Sequence, residues 1–521
     1  MQVSRRTVLG SFALTGLGTA VAWAGFGSAQ KPPKKRPKNI IFCVADGMAM
    51  SAVTMADVYR DVVLGQRGYW SELMEREDVV TGLQDTRSLS SLVTDSSAAA
   101  SAWGSGSHIW NGQCNMFPDG TKLRPIADIV HAAGLRVGLV TTTTITHATP
   151  SGFSVQSANR GWEDLIAEAH LTSGVDVLMG GGANYFDQEK RRKNRRHKDA
   201  RDTDLFGEFA AKGFQVVQHK SALKSLKPGK VLGIFSDSHL PYTVDHVNTP
   251  ELLEKVPTLA EMTEAALNNL KNSPKGFLLQ VEGGRVDHGG HSNDVAALVF
   301  DQIAFEEAVK KCIEFAERDG NTLVVITSDH ACGGPALNGS GSEEFPMAYF
   351  DSTKGFKLLS GMKSSYGPIQ SDIGKNPTVK NVKDVVKARL NIELESAEAL
   401  AVVGAMVNES PFKLGQFHGS AGATLAMVLG NHTKVTWTSG NHTSDHVLLS
   451  AFGPGSELFR GITRNIDVFS YLLGLLGLSH KNPTMDFETA WKYVQERYNP
   501  KNTVSLIDPC MACEEEAMHV H

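Results

Sequence analysis

Short apolar runs alternate along this chain with stretches in which apolar residues recur every three or four positions. Ile40–Val44, Arg136–Val140, Val175–Met179, Phe277–Val281, Leu323–Ile326 and Val447–Leu449 are of the first kind and read as buried strands. Ile126, Ile129, Val130 and Ala133 have helical spacing, with Gly134 to stop the run. Val295, Val299 and Ile303 form a second stripe. On its wet side Glu306–Lys310 and Glu307–Lys311 stand four apart, and Gly320 ends the helix. Strand–helix alternation predicts an α/β fold: a three-layer α/β/α sandwich around a large, mostly parallel central sheet. Residues 335 to about 430 break the rhythm and start rich in Gly, Ser and Asn. They read as a long insertion, with helical segments near Glu395–Val407 and Gly419–Leu429. No internal repeat is evident.

The two ends stand apart from this pattern. Ser4-Arg5-Arg6-Thr7-Val8-Leu9 opens a small-residue apolar stretch that runs to Gly27-Ser28-Ala29. This reads as a twin-arginine export signal over residues 1–29, cleaved after Ala29. A transmembrane anchor is the alternative. Glycines, Thr15 and Thr19 interrupt the stretch and favour removal, so no stable membrane anchor is expected. Residues 30–38 form a basic, proline-rich lead-in, 39–495 a single domain containing the insertion, and 496–521 a tail. The expected location is therefore periplasmic or extracellular.

Composition narrows the partners. The chain has 521 residues, is 41% hydrophobic and carries a formal charge of −5. The mild acidity argues against nucleic acid as the main partner. Lys190 to Lys198 is a basic run that reads as a solvated loop, with steering of anionic substrates as the alternative. The six cysteines form no dense disulfide pattern. Cys510 and Cys513, in a C-x-x-C tail, are open to metal or to a tight disulfide.

Chemistry gathers where strands end. Ile40–Val44 is followed by Asp46-Gly47, Phe277–Val281 by Glu282, and Leu323–Ile326 by Thr327-Ser328-Asp329-His330. Ligand sites of open α/β sheets collect at such carboxyl ends. The densest segment is Glu282-Gly283-Gly284-Arg285-Val286-Asp287-His288-Gly289-Gly290-His291. Carboxylate and imidazole together suit zinc, and carboxylate oxygen also suits magnesium. A helical turn would set Asp287 and His291 on one face. The alternative is a polar loop with a capping aspartate.

Ser96, in Thr94-Asp95-Ser96-Ser97 before an alanine-rich helix former, would sit at a helix N-terminus. Such a serine is often only a cap; beside a metal its hydroxyl becomes a nucleophile. Thr146-His147-Ala148-Thr149-Pro150 follows another strand, and Arg160 lies eleven residues past Thr149. A guanidinium grips two phosphoryl oxygens at once. Asn441-His442-Thr443 is a further imidazole-bearing turn, and His432 in Asn431-His432-Thr433 is its near copy.

Asp46-Gly47-Met48, Thr94-Asp95-Ser96, Ala148-Thr149-Pro150 with Arg160, Glu282-Gly283-Gly284 with Asp287 and His291, Asp329-His330 and Gly440-Asn441-His442-Thr443 together resemble the alkaline phosphatase family. They occur in family order over roughly residues 38 to 475. The resemblance implies a homodimeric hydrolase of phosphate monoesters that works through a phosphoserine, with two zinc ions and one magnesium. It implies Asp287, His291 and His442 as ligands of the first zinc. It implies Asp46, Asp329 and His330 for the second, beside Ser96. Asp46, Thr149 and Glu282 are implied for magnesium. Arg160 would bind the phosphate and Asp95 would orient it.

His147 and His288 depart from the best-known bacterial members and are similar to the animal-type pattern. His147 stands beside the magnesium position and leaves the identity of the third ion open. His288 is placed to reach the phosphate through water. The Asp-Ser pair favours Ser96 over Ser97 as nucleophile. Two other readings compete: a superfamily relative acting on diesters, sulfates or phosphonates, and a non-catalytic metal-binding surface protein. Arg160 counts against the first, because a monoester dianion needs a positive clamp. The full set of ligands with Ser96 counts against the second.

Overall fold

The computed structural model describes residues 35–407 and 420–497. Residues 1–29, read above as an export signal, and Cys510 and Cys513 lie outside the described residues. The strands in chain order are β1 (Asn39–Ala45), β2 (Val79–Gln84), β3 (Arg136–Thr144), β4 (Val177–Gly181), β5 (Phe214–Val217), β6 (Lys230–Ile234), β7 (Phe277–Gly283) and β8 (Thr322–Thr327). Then come β9 (Ala331–Cys332), β10 (Ala336–Leu337), β11 (Val435–Thr436), β12 (His442–Thr443), β13 (Val447–Phe452) and β14 (Gly461–Thr463). Ten of them form one sheet in the order β14-β2-β13-β8-β1-β7-β3-β4-β6-β5. Only β13 runs against its neighbours in that sheet; every other pairing is parallel.

The central strands are buried along their whole length because both faces carry helices. Side chains of β1 alternate between two cores. Ile41, Cys43 and Ala45 pack with residues of the helices Leu259–Leu270 and Val295–Asp319. Ile40, Phe42 and Val44 pack on the other side with Trp103 and the helices Ile126–Ala132 and Asn465–Leu475. This is the three-layer α/β/α arrangement. Asp294 caps the helix Val295–Asp319 by accepting from the amides of Ala296 and Ala297, and left-handed Gly320 closes it.

Strands β2, β5, β6 and β14 go beyond the pattern legible in the sequence. They lie toward the two edges, where exposure weakens the apolar signal. Gly82 in β2 permits the close approach of β14, since a Cβ there would lie 2.5 Å from the Gly461 carbonyl oxygen.

Residues 335–430 hold the helices Phe350–Phe356, Tyr366–Ile373, Val379–Leu390, Ser396–Met406 and the start of Ala421–Thr433. Phe356, Ile369, Val386 and Val402 from them join the first core. The basic run is largely exposed, at Arg192, Lys193, Arg195, Arg196 and Lys198, as a solvated segment should be, but it is anchored to the fold. Its helix Gln188–Lys193 buries Arg191, whose guanidinium donates to Glu168 Oε1 (2.6 Å) and the Tyr185 carbonyl (2.5 Å). Arg192 pairs with Asp202, and Arg201 with Glu168 and Glu208. Carboxylates distant in sequence thus anchor its charge. Among the described residues no helix is long and apolar enough to cross a membrane.

Candidate active site

Register brings the chemistry together. Val44 of β1 lies beside Glu282 of β7 and Thr327 of β8, so Asp46, Glu282 and Asp329 emerge at one edge of three adjacent strands. Gly47 makes the exit from β1 possible: its φ is +69°, and a Cβ would stand 2.6 Å from Asp287 Cα. The Gly47 and His330 amides both donate to Asp329 Oδ1 at 3.0 Å. This leaves Asp329 Oδ2 buried without a hydrogen-bond partner.

Three clusters of ligand-type atoms result, each with its atoms within 4.8 Å of one another: Asp287, His291, Cys332 and His442; Asp46, Asp329 and His330; and Asp46, His147 and Glu282. In the first, the helix Arg285–His291 sets Asp287 Oδ2 3.2 Å from His291 Nε2, as its four-residue spacing predicts. The short ladder of β9 and β12 brings in His442, whose Nε2 is 3.5 Å from Asp287 Oδ1. His291 Nδ1 lies 2.6 Å from the Gly440 carbonyl and His442 Nδ1 2.8 Å from the Thr94 carbonyl. Carbonyls accept only, so each Nδ1 carries a proton, and each Nε2 faces the cluster. In the second, His330 Nε2 is 3.1 Å from Asp329 Oδ2 and 3.6 Å from Asp46 Oδ1. His330 and His442 stack with centroids 3.6 Å apart, which joins the first two clusters. In the third, Thr149 Oγ1 donates to Asp46 Oδ2 at 3.4 Å.

These donors fit cations. Both Glu282 oxygens, Asp287 Oδ1 and Asp329 Oδ2 are buried without a hydrogen-bond partner, and buried charge of this kind is paired or coordinates metal. Burial, then the charges of Asp329, Asp287 and Glu282, raise the Asp46 carboxyl well above its usual range. Burial pushes Glu282 up to about 7. Asp287 is also buried, but His291 and His442 hold it well below its usual value. Burial and the neighbouring Arg160 bring His147 down to about 3, and burial and His330 bring His442 down to about 3. Neutral imidazoles are the form that binds metal.

Ser96 is the first residue of the helix Ser96–Ser105. Its Oγ lies 3.2 Å from His330 Nε2 and 3.4 Å from Asp46 Oδ1. Asp95, not Ser96, is the cap: its Oδ1 accepts from the Ala98 amide at 2.9 Å. Asp95 Oδ2 accepts from Ser97 Oγ (2.7 Å), the Gly112 amide (3.0 Å) and Arg160 Nη1 (3.1 Å). Ser97 is therefore turned away to Asp95, while Ser96 faces the second cluster. Arg160 Nη2 donates to His147 Nε2 at 3.0 Å.

His288 belongs to a buried knot of imidazoles with His147 (5.5 Å between ring centroids) and His239 (4.5 Å). Its Nδ1 accepts from Arg285 Nη1 at 2.7 Å, and the guanidinium carbon lies 3.6 Å from the Tyr242 ring centroid. His432 is remote from the clusters and pairs with Glu398 at 3.0 Å. Sequence reasoning missed Cys332, Arg285 and His239. Arg285 sits inside the densest motif and Cys332 three residues past Asp329, so proximity marked both. His239 carries no local signal.

A parallel sheet whose strand ends gather carboxylates and imidazoles around one buried serine is an α/β-class site suited to hydrolysis. The sequence profile of the alkaline phosphatase family matches residues 37–478. Alkaline phosphatase 4 of Bacillus subtilis is 31% identical over 460 residues, covering 86% of this chain and 91% of the relative. Among solved structures, Thermus thermophilus alkaline phosphatase is 34% identical with a TM-score of 0.83, over 92% of this chain and all of that one. The cold-active alkaline phosphatase of a Shewanella species is 26% identical with a TM-score of 0.67, over 84% and 99%. The chain belongs to the alkaline phosphatase family. It is accordingly a phosphoric monoester hydrolase.

Proposed function

We propose that this enzyme hydrolyses phosphate monoesters through a phosphoserine on Ser96, at a site for two zinc ions and a third, magnesium-type ion. The observation that carries the reading is the placement of Ser96 Oγ between His330 and Asp46, with Ser97 held by Asp95. Asp287, His291 and His442 would hold the first zinc, and Asp46, Asp329 and His330 the second. Asp46, Glu282 and Thr149 would hold the third ion, with His147 beside it. When bound, these cations supply Lewis acidity that lowers the pKa of a hydroxyl and offsets phosphoryl charge.

The chain's own groups do the rest. Ser96 Oγ attacks phosphorus in line, with the ester alcohol leaving opposite, and water later attacks the phosphoserine and restores the hydroxyl. Arg160 swings its guanidinium, already steadied by Asp95, onto two phosphoryl oxygens. The free amides at the start of the helix Ser96–Ser105 favour the dianion at the same point. His288, from the imidazole knot, orients the phosphate through water.

Acid-quenched turnover of a labelled aryl phosphate, followed by peptide mapping, tests the reading. Label on Ser96 is the expected result, and label elsewhere or none overturns it. Bound-metal analysis is expected to find two zinc ions, and diester turnover is expected to be far below monoester turnover. The twin arginines Arg5 and Arg6 support export in folded form, testable by loss of export in Arg5→Lys with Arg6→Lys. The family resemblance supports a homodimer, testable by sedimentation.

A further inference from the structure

We propose that Cys332 supplies a sulfur ligand to the first zinc, making that site an Asp–His–His–Cys set; the inference rests on the metal reading given above. Cys332 Sγ lies within 4.8 Å of the ligand atoms of Asp287, His291 and His442. The placement is set by backbone pairing. Cys332 of β9 is the direct register partner of His442 of β12, so their side chains share one face of the ladder. The Cys332 amide donates to the Gly47 carbonyl at 3.1 Å, which fixes β9 against the turn after β1. Gly290 leaves room for the sulfur: a Cβ at that position would stand 3.1 Å from Sγ. Cys332 is fully buried and in no disulfide.

Two further observations point to a ligand. Asp287 Oδ1, 3% exposed as a residue, has no hydrogen-bond partner at this cluster. His291 Nε2 and His442 Nε2 converge to 3.0 Å beside the Asp287 carboxylate, each ring aimed there by a carbonyl on its Nδ1. Four donors facing one point are what tetrahedral zinc takes. On binding, the thiol proton passes to solvent and the thiolate joins two imidazoles and one carboxylate. A soft sulfur donor selects zinc over magnesium at this site and leaves the oxygen-rich third cluster to the harder ion.

Cobalt(II) substitution of the full chain tests this. The cobalt protein is expected to show a sulfur-to-cobalt charge-transfer band in the near ultraviolet alongside visible ligand-field absorption. The band is expected to vanish in Cys332→Ser and to survive in the Cys510→Ser, Cys513→Ser double variant. First-site affinity in Cys332→Ser should fall about tenfold or more. Ligand-field absorption without the charge-transfer band in the unaltered chain overturns the sulfur assignment alone. A band that survives in Cys332→Ser also overturns it. Absence of any cobalt absorption overturns the metal reading itself. The unaltered chain decides the first point, so the result does not depend on whether a variant folds.

Discussion

His291 Nε2 and His442 Nε2 lie 3.0 Å apart although 151 positions separate them in sequence. Each ring is aimed from behind by a carbonyl, that of Gly440 or Thr94. Both nitrogens thereby stand beside the Asp287 carboxylate, at 3.2 and 3.5 Å, the donor set that a zinc ion would take. His442→Ala is therefore expected to lose one zinc per chain while the second cluster keeps its ion. Elemental analysis of the purified variant checks the count; unchanged zinc content would refute the assignment.

Ser96 and Ser97 are adjacent but face different partners. Ser96→Ala is expected to lower aryl phosphate turnover about a thousandfold or more with metal retained. Ser97→Ala removes one of three hydrogen bonds to the Asp95 Oδ2 carboxylate oxygen, a charge-assisted contact worth about 1.5–3 kcal/mol of stability, and should cost far less turnover than Ser96→Ala. Steady-state rates for the two variants, with metal content measured in parallel, decide the nucleophile. A larger loss in Ser97→Ala would reverse it.

Arg160 and Asp95 form a buried pair at 3.1 Å. Asp95→Asn keeps a good helix cap but removes the charge that steadies the guanidinium. Inhibition by inorganic phosphate should weaken about ten- to a hundredfold in Arg160→Ala, from loss of a charged hydrogen-bonding partner. A smaller weakening in the same direction is expected for Asp95→Asn, with thermal stability nearly kept. Equal phosphate inhibition in all three proteins would show that Arg160 does not touch the phosphate.

Asp301 is a structural carboxylate outside the clusters, accepting from the Thr243 amide and hydroxyl at 3.0 Å. Burial raises its pKa from 3.8 to about 7. The folded state thus holds a proton that the unfolded state releases, and the contribution to stability, present below about pH 4, is lost as pH rises toward 7. Asp301→Asn should flatten the fall in melting temperature across that window. Melting curves at stepped pH measure it, and an unchanged slope would show that Asp301 does not titrate there.

Much of the fold was legible because buried parallel strands and amphipathic helices carry local periodicity. Ile40–Val44, Phe277–Val281 and Leu323–Ile326 read as strands and are strands. Edge strands such as Phe214–Val217 did not announce themselves, since half-exposed positions blur the alternation. The basic run showed its charge but not its partners, because Asp164 and Glu168 lie on another element.

By itself the sequence determined the α/β class, the polar residues at strand ends, and the motif order of a phosphatase. Those are local properties, written in spacing and residue type. Only the tertiary structure decided which serine faces the clusters, that His432 pairs with Glu398 while His442 meets His291, and that Cys332 and His239 stand beside residues far away in the chain. Such neighbours are set by strand register and by the crossing of loops, and no periodicity within a single segment records them.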